Sequence, residues 1–243
     1  MSGENTVTGK FLNNRIIALI FRCAVMSSSG AGLFILTGAA GWRINWVSLV
    51  FYTNLSNLAC LVFYACLCAK TAIEIKNGGI TGKTVMLPRF KGAIIMMLTV
   101  TMLIYHFMLA ATGFVMEINI DPSYMAANTL LHYVAPCLCL AEWLLFDKKN
   151  AYKRFDPLLW LTVPFVYLIF VLIRAEIGGP LAGTYRYPYF FLNVDALGIS
   201  GVLTYVVILM FVFAFLGYII YFIDKLIYTS EKRARFYDRP SGK

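Results

Sequence analysis

Residues 51–58, FYTNLSNL, crowd Tyr52, Thr53, Asn54, Ser56 and Asn57 into an otherwise apolar stretch. On a helix Thr53 and Asn57, four apart, share a face, and so do Asn54 and Asn57 at a spacing of three. The chain's two histidines, His106 and His132, lie in two other apolar stretches. His106 follows Tyr105; His132 comes four residues after Asn128, with Thr129 beside it. A hydroxyl beside an imidazole can do acyl transfer: the ring takes the proton and the oxygen attacks a carbonyl. The same hydroxyls and amides can instead join membrane helices by hydrogen bonds. Two imidazoles at one depth could also ligate a single haem. These alternatives stand side by side at the level of residue type.

Six apolar stretches must position these groups: 15–38, 46–69, 92–114, 126–146, 157–175 and 200–224. Each is close to the about 20 residues that cross a bilayer at 1.5 Å rise. With 243 residues, 60% of them hydrophobic, no room remains for a soluble domain. The expected fold is all-α: a single six-helix transmembrane domain over residues 1–243. Of 21 Lys and Arg, 17 fall in the N-terminal segment, the second and fourth gaps and the tail. The alternate gaps hold only Arg43, Arg174 and Arg186, and Arg22 sits inside the first stretch. Basic residues stay on the cytoplasmic side, so both termini are expected there. The net charge of +9 is then a matter of topology, and no nucleic-acid partner is expected. The first stretch is too long for a cleaved signal and reads as a retained helix. The location implied is a cell membrane: a bacterial inner membrane, or an endomembrane or plasma membrane. The six cysteines read as small buried apolar residues.

A polar side chain within a span is costly, and so is a functional candidate. Counting residues from the expected outer ends puts Thr53 roughly 10 Å deep, His132 roughly 9 Å and His106 roughly 12 Å. One layer of the outer leaflet thus gathers both histidines and the hydroxyl–amide run. The outer gap between the last two spans carries helix breakers at Gly178, Gly179, Pro180 and Gly183, then Tyr187, Tyr189 and Asp195. It reads either as an aromatic belt or as a lid over a cavity. Arg174, closing span five, could snorkel to lipid heads or clamp an anionic group. No GxSxG, HExxH, P-loop or dinucleotide fingerprint is present. Nucleotide chemistry therefore has no visible basis.

FYTNLSNL, LLHYVAP, EWLLFDKK and YPYFFLNVDALG follow one another over most of the chain. In this order they resemble the bacterial branch of the androgen-induced protein family, which includes the androgen-dependent TFPI-regulating protein. The resemblance implies a membrane hydrolase of fatty acid esters of hydroxy fatty acids, needing no cofactor. By motif, the nucleophilic threonine falls on Thr53 and the histidine on His132. Asn54 or Asn57 would then donate to the oxyanion. Asp195, Tyr105 or a backbone carbonyl would orient the imidazole. Tyr105, His106, Asn128, Arg174, Tyr187, Tyr189 and Asp195 would surround an ester entering sideways from the membrane. The alternative is a lipid- or small-molecule-binding protein or transporter that uses the same polar layer without cleavage.

Overall fold

A computed structural model describes residues 11–42, 44–110, 122–181 and 183–237. The basic residues Lys10, Arg43, Arg239 and Lys243 lie outside them, as do positions 111–114 of the expected third span. Six helices are each long and apolar enough to cross a membrane. They are α1 (Arg15–Leu36), α2 (Tyr52–Gly78), α3 (Pro88–Leu109), α4 (Pro122–Phe146), α5 (Asp156–Ile177) and α6 (Val194–Arg233). The last continues to Tyr237. Phe211, Phe215, Phe222, Val166 and Ile173 stand exposed on the outer surface. Such a surface suits hydrocarbon and not water, as expected of a multi-pass membrane protein.

Local chemistry sets the helix ends. Asn14 caps α1, its Oδ1 accepting from the amides of Ile16 (2.8 Å) and Ile17 (3.2 Å). Pro88 opens α3, where its missing N–H costs nothing. Gly79 ends α2 at φ 78°, a backbone that favours glycine. The second helix begins later than its hydropathy suggests. Residues Trp46–Val50 form a 3₁₀ turn, so Thr53 lies in the first turn of α2 and not seven residues into it.

Contacts order the helices. Arg22 meets Thr71 and Ser29 meets Asn57, so α1 and α2 are antiparallel. Thr53 meets His132 and Tyr64 meets Glu142, so α2 and α4 are parallel. One end of the bundle therefore gathers the start of α1, the 79–87 and 147–155 connections and the tail of α6. The 46–51 and 183–193 segments lie at the other end, rich in aromatic side chains. We call these the basic end and the aromatic end. Helices α1 to α4 pack as a group, and α5 and α6 join it mainly through α3. At Gly32 of α1 a Cβ would stand 2.6 Å from the Leu131 side chain. The missing side chain lets α1 press against the segment of α4 that carries His132.

The cysteines divide. Cys60 and Cys139 are buried and Cys23 and Cys68 half-buried, but Cys66 and Cys137 are exposed on the apolar surface. The reading of all six as buried residues is therefore corrected for two. A small apolar thiol suits a lipid-facing position as well as a packed one.

Candidate active site

Thr53 is placed by the start of α2 and His132 by a widened turn of α4. Leu130–Val134 is a π-helical turn, a form often found where a side chain is re-aimed. Its carbonyls bind side chains of other helices: Ser28 donates to Leu130 O (3.2 Å) and Asn57 to Leu131 O (3.2 Å). With the turn so held, His132 Nε2 lies 3.1 Å from Thr53 Oγ1. Its Nδ1 lies 3.0 Å from the backbone carbonyl of Asn128. A carbonyl can only accept, so in the neutral ring the proton sits on Nδ1. The lone pair of Nε2 then faces the threonine hydroxyl, which donates to it. This is the tautomer a general base needs. The Tyr105 ring lies against the imidazole, with centroids 4.0 Å apart and planes inclined by 30°. Both Thr53 and His132 are buried.

Thr53, and not His132, lines a cavity enclosed by α2, α3, α5, α6 and the connection before α6. Tyr52 and Thr53 contribute from α2, and Thr101 and Ile104 from α3. Tyr167 comes from α5, and Tyr189 and Phe191 from the 178–193 connection. The wall is almost wholly apolar apart from the Thr53, Thr101 and tyrosine hydroxyls. Thr101 turns its own hydroxyl back to Met97 O at 2.7 Å. Burial pushes the Tyr189 phenol above its ordinary value, against the lowering effect of Thr53 beside it. It stays a neutral donor.

Several expected site residues have other work. Asn57 Nδ2 donates to the carbonyls of Thr53 (2.9 Å) and Leu131 (3.2 Å), and its Oδ1 accepts from Ser29 (3.0 Å). It clamps α1, α2 and α4 together, with no N–H left to aim at an oxyanion. Asn54 Nδ2 donates to Ser48 O at 2.6 Å and fastens the preceding turn. The Asn128 side chain donates to the Tyr105 hydroxyl at 2.5 Å, fixing the ring that lies on His132.

His106 does not join the pair. It is exposed, and its Nδ1 lies 3.1 Å from the Tyr133 hydroxyl. Tyr105 and His106 open a π-helical turn, Tyr105–Leu109, in which successive side chains still point in different directions, so when Tyr105 turns inward to His132 its neighbour turns away. The two imidazoles face no common space, and the haem reading loses its geometry. Asp195 does not orient His132 either. It is exposed and paired with Arg186, at 3.0 Å from Nε and 2.5 Å from Nη2. Arg174 spends its guanidinium on the carbonyls of Gly179 (2.7 Å), Gly178 (3.1 Å) and Arg186 (3.1 Å). These bonds fasten the connection that follows α5. Tyr187 is buried under the same connection, its ring 5.8 Å from the Arg186 guanidinium.

A second polar assembly is charged. Near the basic end, Arg22 Nε lies 2.7 Å from Glu142 Oε1, and Arg22 Nη1 donates to Thr71 at 2.7 Å. Lys91 bonds the other Glu142 oxygen and reaches Asp147 at 2.6 Å. Tyr64 adds a hydrogen bond to Glu142 at 3.1 Å. Lys91 reads in sequence as a loop charge, but it is the fourth residue of α3 and 2% exposed. The signal available was a lone cation in span one and a lone anion in span four, which hydrocarbon obliges to find each other.

Comparison with protein-family models, curated proteins and solved structures finds no match to this chain.

Proposed function

We propose that the protein is an integral-membrane hydrolase of lipid esters. The reading rests above all on the Thr53–His132 hydrogen bond, with Nδ1 held by the Asn128 carbonyl at the wall of an apolar cavity. The resemblance of its motifs to the androgen-induced protein family points the same way, towards fatty acid esters of hydroxy fatty acids.

In the reaction proposed, His132 Nε2 takes the Thr53 proton as Oγ1 bonds to the ester carbonyl carbon. The carbonyl π electrons move onto oxygen, then return as the ester C–O bond breaks. The leaving alkoxide takes the proton from His132 and departs as an alcohol. Water, with His132 again as base, then attacks the acyl-threonine, releasing the acid and restoring the threonine hydroxyl. Asn57 has both N–H groups engaged and Asn54 donates to Ser48 O, so the Tyr189 hydroxyl, which lines the cavity with Thr53, is the proposed oxyanion donor. One such donor is typically worth about 3 kcal/mol. The chain's own side chains supply every proton transfer, and no cofactor enters the scheme.

The basic end is taken to be cytoplasmic, on the 17-to-3 split of Lys and Arg between the alternate gaps and flanks of the sequence. Single cysteines at positions 83 and 186 should then react with an impermeant maleimide from opposite sides. Reaction of both from one side would overturn the orientation.

The activity test uses the purified full chain and a panel of nitrophenyl acyl esters and hydroxy-fatty-acid esters. Wild type should turn over. His132→Ala should lose roughly 10²–10⁴-fold in kcat, and Thr53→Ala should lose all turnover. The double variant should be no worse than Thr53→Ala, because nucleophile and base act as one unit. Thr53→Ser should retain activity. A Thr53→Ala variant as active as wild type at matched folded yield would end the threonine assignment. If wild type cleaves nothing, binding without turnover becomes the better account.

A further inference from the structure

The cavity has a shape that the ester-cleaving pair does not explain. Helices α5 and α6 approach most closely through the first turn of α5, Asp156–Trp160, and their backbones stand further apart beyond it. They converge where a Cβ on Gly217 would stand 3.1 Å from Pro157. Towards the aromatic end they diverge, and the cavity fills the wedge between them. On α6 it is lined by Val206, Leu209, Met210 and Phe213, the spacing of a single helix face. Met210 and Leu209 are half-exposed, whereas Phe213 is 7% exposed and lies one turn above the convergence point. The wedge thus has a side open to the apolar surroundings, a floor at Phe213, and a polar top at Thr53 and Tyr189.

We propose that this wedge gauges the acyl chain: it admits the acyl half of the ester sideways between α5 and α6, and Met210 and Phe213 set the chain length. The proposal rests on the reading of Thr53 and His132 as the ester-cleaving pair. An ester carbonyl at Thr53 must send its acyl tail somewhere, and the apolar wedge is the space that opens beside that hydroxyl. From Val206 to Phe213 the axial distance is about 10 Å. An extended chain advances roughly 1.1–1.2 Å per bond on backbone dimensions, so the wedge holds about nine bonds below the carbonyl. Acyl chains of about ten carbons should fill it, and longer ones must bend out through the open side. The alcohol half stays outside the wedge, so its size is not measured there.

The test is a nitrophenyl ester series from acetyl to palmitoyl, with the full chain in nanodiscs. Wild-type kcat/KM should rise to about ten carbons and then fall. Met210→Trp fills the middle of the wedge. It should lower kcat/KM for the decanoyl ester about tenfold more than for the butyryl ester. Phe213→Ala lowers the floor and should move the optimum to longer chains. Equal changes at every chain length in both folded variants would overturn the gauge while leaving the ester-cleaving reading intact. If wild type cleaves no ester, that reading fails, and the wedge is tested alone with a diazirine-bearing decanoic acid. Photolabelling of residues 206–213, reduced about tenfold in Met210→Trp, would support an acyl site. Labelling confined to the outer surface of the helices would overturn it, whatever the variants do.

Discussion

The Thr53–His132 pair and the Arg22–Lys91–Glu142–Asp147 cluster are both buried among apolar helices, roughly 15 Å apart along α4. They are built on opposite principles. The cluster is charged and mutually paired, with only Lys91 and Asp147 touching a small cavity: each carboxylate oxygen of Glu142 meets a cation, and Arg22 also meets Thr71 and the backbone of Thr84. The pair is uncharged and open: His132 is held from behind by a carbonyl, and Thr53 keeps one face on the cavity. Charge within hydrocarbon is tolerable only when opposite charge and hydrogen bonds surround it, which leaves nothing free to react. Neutral groups are cheaper to bury, so a site can leave one of them incompletely enclosed. One region therefore holds α1, α3 and α4 in register, and the other has the freedom to do chemistry.

The sharpest way to break this contrast is Glu142→Gln. The change keeps the shape and leaves two buried cations with Asp147 alone. Breaking such a network typically costs about 3–5 kcal/mol. The variant should lose most of its folded yield in detergent, with a lower thermal midpoint by size-exclusion or fluorescence monitoring. Whatever fraction stays folded should cleave ester at close to the wild-type rate per molecule. Thr53→Ala should do the reverse, with an unchanged midpoint and no turnover. If Glu142→Gln folded normally but lost turnover, the cluster would belong to the reaction and the contrast would fail.

The smallest effect should come from His106→Ala. The side chain is exposed and lies within hydrogen-bond distance of the Tyr133 hydroxyl. Stability should stay within about 0.5 kcal/mol of wild type, and kcat should not change. A loss of activity comparable to that of His132→Ala would show that the pair is wider than Thr53 and His132.

Thr53 and His132 were legible as candidates because both sit in spans where polar groups are costly, and because the motifs around them resemble a known family. Their common level was legible only roughly. Thr53 lies in the first turn of α2 and His132 ten residues into α4. They meet because the 3₁₀ turn at Trp46–Val50 and the π turn at Leu130–Val134 adjust the two backbones. Neither turn has a hydropathy signature, since both are short and their residues suit an α-helix as well.

The sequence by itself determined six helices, their approximate spans, and which gaps carry the basic residues. These follow from composition averaged over about 20 residues, and in a membrane no other structure satisfies the backbone of such a stretch. Tertiary structure alone decided the partners. It turned Asn57 from an oxyanion donor into a clamp and His106 from the pocket to the surface. It tied Asp195 to Arg186, drew Lys91 into the core, and set α5 and α6 apart as a wedge. The physical reason is rotation about the helix axis. Depth can be read along a chain at 1.5 Å per residue, but the direction in which a side chain points depends on which neighbour its helix packs against. In helices apolar on nearly every side, the hydropathy pattern leaves that angle open, and packing with a few buried hydrogen bonds fixes it.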